Sequence, residues 1–142
     1  MSTFWLPLHV FSAIMVAGLS FGGFFQLALA LADQSENRQE GGVFQAILFA
    51  GLVLTVPFFG ILIFSGIHLV GLFHIPPDVP WISSALRSGL LALISLCLGM
   101  TCLLFRPSGS PPFRSLMIAA GFYAMATLGF GAAIWRMLGK GG

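Results

Sequence analysis

Four long apolar runs dictate what this chain can become. They extend from Phe4 to Ala32, Val43 to His74, Ile82 to Phe105 and Phe113 to Leu138. A helix that spans a bilayer needs about 20 mostly apolar residues, and each run exceeds that. Lipid offers no water to backbone N–H and C=O groups, so runs of this kind must be helical. Charge supports the same reading. The 142 residues are 58% hydrophobic and 7% charged, against about 25% charged in an average soluble domain. Six Lys+Arg and four Asp+Glu cannot clothe a water-facing surface, so the outer face meets the lipid bilayer. A net charge of +2, scattered along the chain, excludes a nucleic-acid partner. Met1 to Thr3 lack the positive charges of a signal sequence, and the first run is too long for one. It is expected to remain as the first span.

Polar and turn-forming segments separate the runs. They are Asp33 to Gly42, the proline-rich Ile75 to Pro80 followed by Trp81, and Arg106 to Pro112. Connections this short make neighbouring helices antiparallel. The expected fold is therefore all-α, a single membrane domain over residues 1–142 built as an antiparallel four-transmembrane-helix bundle. Both termini then lie on one side. Orientation stays open: Arg38, Arg106 and Arg114 on one side balance Arg87, Arg136 and Lys140 on the other.

Small residues at four-residue spacing let helix backbones approach closely. Gly18/Gly22, Ala120/Ala124 and Gly129/Ala133 have that spacing. They point to association in the membrane, with other membrane subunits or as a homo-oligomer. Pro57 is expected to kink the second helix. Cys97 and Cys102, five residues apart on a helix, face different ways and cannot bridge.

Polar side chains inside spans are costly and need a reason. The topology brings His9, His68, His74, Arg87, Trp135 and Arg136 to one end, which thus holds all three histidines. His9 shares a stripe with Ser12, Ala13, Val16, Ser20 and Gly23, a mostly small or polar face expected to line the bundle. His68 shares a face with Ser65, Phe64 and Ile61, whereas His74 stands roughly 120° away around the helix. Equal depth makes His68 the expected partner of His9. Two imidazoles from two helices suit the iron of a b-type haem, and Arg87 suits a propionate. Ser12 and Ser65 are candidate supports. The competing reading makes the histidines interhelical hydrogen-bond partners, with His74 at the headgroups and Arg87 snorkelling. A CxxCH motif, a Ser-His-Asp set, a phosphate loop and an acid within a span are all absent. That composition argues against hydrolases and proton pumps.

Leu8-His9-Val10-Phe11-Ser12-Ala13, followed by Gly18 and Gly22-Gly23, resembles the opening of a group of small four-helix bacterial membrane proteins. The group contains the CopD-like and HemJ-like proteins. It also contains an uncharacterised integral membrane family that opens with His-Val-x-Gly-Ala, to which the likeness is closest. Pro57 through Ser65-Gly66 to Pro80-Trp81 and Ala85-Leu86 resembles the middle of such chains, and Phe113-Arg114-x-Leu116 resembles the start of their last helix. The resemblance implies a four-helix bundle in the bacterial inner membrane. For HemJ-like proteins it also implies haem b and protoporphyrinogen oxidation, with His9 as ligand and Arg87 nearest to their third-helix lysine. Their second histidine beyond the first helix has no counterpart here.

The leading expectation is a non-enzymatic, haem-b-binding protein in or beside a membrane electron-transfer complex, with His9, His68 and Arg87 at the cofactor. The alternatives are a HemJ-like oxidase and a cofactor-free accessory subunit of a larger membrane complex.

Overall fold

A computed structural model describes residues 2–32, 42–76, 79–105 and 112–139. Most of the polar loop from Asp33, the Pro77-Asp78 pair, the turn from Arg106 to Pro111, and Lys140 lie outside the described residues. Four helices make up the fold: α1 (Ser2–Ala32), α2 (Gly42–Leu72), α3 (Pro80–Leu104) and α4 (Pro112–Leu138). Each is long and apolar enough to cross a membrane. The chain is a multi-pass membrane protein whose helices run up, down, up and down.

The helix ends follow local chemistry. Pro80 opens α3 at a first-turn position, where its missing N–H costs no hydrogen bond. The second helix stops at Leu72, two residues before the expected end. Ile75 N–H reaches the Val70 carbonyl at 3.0 Å and His74 N–H reaches the Gly71 carbonyl at 3.3 Å. Those two bonds form a Schellman cap. His74 occupies its left-handed position with φ 50°, where glycine is the usual residue. His74 therefore terminates α2 with its backbone. Pro57 lies inside α2, which continues as helix on both sides of it.

α1 packs against α2 and α4, and α4 packs against α3, while α2 and α3 meet along a thin seam. The hydrophobic effect does not drive this assembly, because lipid tails are as apolar as the side chains. Close packing and interhelical hydrogen bonds hold it instead. α3 and α4 approach each other closely. A Cβ added at Gly129 would stand 2.9 Å from the Ala92 Cβ and 3.2 Å from the Ser88 carbonyl oxygen. Tyr123, 2% exposed, fills the centre. Its ring lies against Gly23 of α1 and Gly99 of α3, where any side chain would collide with it. One turn further along α4, Ser20 and Thr127 meet at 3.3 Å. Thr127 donates to the Tyr123 carbonyl at 2.9 Å, so Ser20 is the donor to Thr127.

The small, polar stripe of α1 faces inward as expected. Ser12, Val16 and Ser20 are buried to within 1%, and Gly23 is buried with them. Cys97 and Cys102 are both free.

Candidate functional site

At the end of the bundle where α1 begins, polar side chains form two clusters. The first lies in the α1–α2 seam. His9 is half-buried, with Nδ1 3.1 Å from the Leu62 carbonyl oxygen and 3.0 Å from Ser65 Oγ. The Ser65 hydroxyl donates to the same carbonyl at 3.1 Å. This geometry assigns the tautomer. A bare Nδ1 lone pair at that distance from a carbonyl oxygen would set two acceptors against each other, so Nδ1 carries the proton. Nε2 then keeps the lone pair.

One turn nearer the helix end, the His68 ring lies 4.3 Å from that of Trp5 at 44°. Trp5 precedes His9 by four residues and His68 follows Ser65 by three, so the two pairs are successive rungs of one ladder. His68 itself is exposed. The buried face of α2 runs through Thr55, Phe59, Ser65 and Leu69. Phe64 and Ile61, the expected companions of His68, point outward at 63% and 37% exposure.

His9 therefore meets Ser65 and His68 meets Trp5, and the two imidazoles do not face each other across a slot. A Cβ added at Gly66 would stand 3.1 Å from His9 Cε1, so α2 already packs on the imidazole. A macrocycle held between His9 and His68 does not fit this packing without α1 and α2 separating. Ser12 is fully buried, and its hydroxyl has no partner among the described residues. Of the two candidate supports, Ser65 contacts His9. Arg87 is exposed on the outer side of α3, away from the α1–α2 seam. Among the described residues no group of three or more His, Cys, Asp or Glu could hold a metal ion.

The second cluster joins α3 and α4. Arg136 Nη1 donates to Ser88 Oγ at 2.8 Å and to the Ser84 carbonyl at 3.2 Å. The Ser88 hydroxyl donates to that same carbonyl at 2.9 Å. Ser84 and Ser88 stand four residues apart and so share one stripe of α3, and antiparallel counting places the end of α4 beside it. That spacing was the available signal for a contact the sequence reading did not make.

The third feature is a groove between α1 and α2 in the half of the bundle nearer the polar loop, with a volume of about 320 Å³. Gly18, Gly22, Gly51 and Gln26 line its walls, and Tyr123 and Leu96 reach it from the other two helices. A Cβ at any of those three glycines would meet nothing within 4 Å. The Gly18/Gly22 pair therefore opens onto a groove and does not press two helices of this bundle together. No protein-family model, curated protein or solved structure matches the chain.

Proposed function

We propose that this protein is an accessory subunit of a membrane complex, seated in a bacterial inner membrane, and that it docks laterally through the α1–α2 groove. The supporting observation is a lipid-level concavity walled by Gly18, Gly22, Gly51 and Gln26. Glycines that pack against nothing in their own bundle leave room for the backbone of a neighbouring helix. The groove invites a clean test, because a Cβ added at Gly18 or Gly22 meets nothing within 4 Å. Gly18→Leu and Gly22→Leu are expected to shift the protein from a large species to a small one when native membranes are solubilised in mild detergent. A wild-type protein that migrates alone, or variants that keep the large species, would reject the proposal.

A second reading, haem b binding, draws on the His9 tautomer. A histidine whose Nδ1–H is held by a carbonyl presents Nε2 as the ligating nitrogen. With α1 and α2 parted at Gly66, His9 would be the residue that holds the group, and haem would supply one-electron chemistry. A reduced-minus-oxidised spectrum that shows b-type bands in the wild type and none in His9→Ala would support it. Colourless protein from cells supplied with haem would dismiss it.

A further inference from the structure

Arg136 and Arg87 occupy the same rim of the bundle. Nη1 of Arg136 is committed to Ser84 and Ser88, and Arg87 belongs to the same turn of α3, roughly 60° around the helix from Ser84. Both side chains are exposed. Arg87 lies seven residues beyond Pro80, which is roughly 10 Å along the axis, and Arg136 lies in the last turn of α4. Two guanidinium groups thus share a rim inside the spans. An arginine has five N–H donors. With Nη1 used, Nε and Nη2 of Arg136 have no protein acceptor among the described residues. Trp135, 75% exposed, sits beside Arg136 as an interfacial aromatic, and exposed Leu90 and Leu91 lie below Arg87. Like charges at this depth are stabilised by an anion, and the surrounding surface is one that acyl chains cover.

We propose that Arg87 and Arg136 form a seat for the phosphate of an anionic phospholipid. Ser84 and Ser88 hold the Arg136 fork in place, and the lipid's chains lie along the outer face of α3 and α4. Bidentate donors suit a phosphate better than a point charge does. The seat belongs to α3 and α4 and is independent of the α1–α2 groove. Its failure would leave the docking proposal untouched.

The test is native mass spectrometry of the full-length protein, titrated with phosphatidylglycerol or phosphatidylcholine of identical chains. Wild type is expected to retain phosphatidylglycerol preferentially. Arg87→Gln and Arg136→Gln should each lower that retention roughly fivefold, the equivalent of about 1 kcal/mol per arginine near an anionic lipid. Arg114→Gln, at the opposite end, should leave retention unchanged, and circular dichroism confirms that each variant is folded. Inorganic phosphate added in excess should not displace the lipid; displacement would identify soluble phosphate as the ligand and overturn the lipid assignment. Equal retention of the two lipids, or an undiminished preference in the double variant, would also overturn it.

Discussion

Arg136 on α4 donates to the Ser88 hydroxyl on α3 at 2.8 Å, tying the last turn of one helix to the third turn of its neighbour. Losing that acceptor should cost about 0.5–1 kcal/mol, a modest value because Arg136 is exposed. Ser88→Ala is therefore expected to lower the unfolding midpoint in detergent. Ser84→Ala should not, because Arg136 uses the Ser84 carbonyl and the Ser84 hydroxyl is bonded to Trp81 within its own helix. Equal midpoints for Ser88→Ala and wild type would remove this tie from the account.

Packing makes opposite predictions for two glycines. Gly129→Ala drives a methyl against Ala92 and the Ser88 carbonyl, and should destabilise the bundle by about 1–3 kcal/mol, as overpacking does. Gly18→Ala meets nothing within 4 Å, and gains up to about 1 kcal/mol of helix propensity. Equilibrium unfolding of both variants checks the contrast. A stable Gly129→Ala would show that α3 and α4 are not in close contact there.

His74 holds a left-handed backbone at the end of α2, which costs a non-glycine residue about 1–2 kcal/mol. His74→Gly should therefore raise stability by about 1 kcal/mol, while His74→Ala should not. A destabilised glycine variant would mean that the imidazole makes a contribution larger than the strain.

Helix count and direction are tested by labelling single cysteines in sealed vesicles. Ser2→Cys and Gly139→Cys should share one accessibility, and Arg114→Cys should have the opposite one. Opposite labelling of the first two would require an odd number of spans.

The spans, the antiparallel order and the inward stripe of α1 were legible in the sequence. That stripe was readable because small and polar residues recur on it among bulkier neighbours. The orientation of His68 was not. α2 is the most apolar span, with mean hydropathy 2.6, so its composition marks no inner face. Ser65 is inward and Ile61 and Phe64 are outward, although helical spacing sets all three on the same side as His68. The role of Gly18 and Gly22 was equally hidden, because a glycine pair looks the same whether it closes a seam or opens a groove. Reading the left-handed cap at His74 needed the backbone hydrogen bonds.

The docking proposal is most directly tested by photo-crosslinking in native membranes, with p-benzoylphenylalanine in place of Gly22 in the groove or Leu91 on the outer face of α3. Leu91 is 65% exposed, and serves as the lipid-facing comparison. The account predicts a discrete protein adduct from the Gly22 position and only lipid adducts from the Leu91 position. Lipid adducts alone from both positions would contradict it.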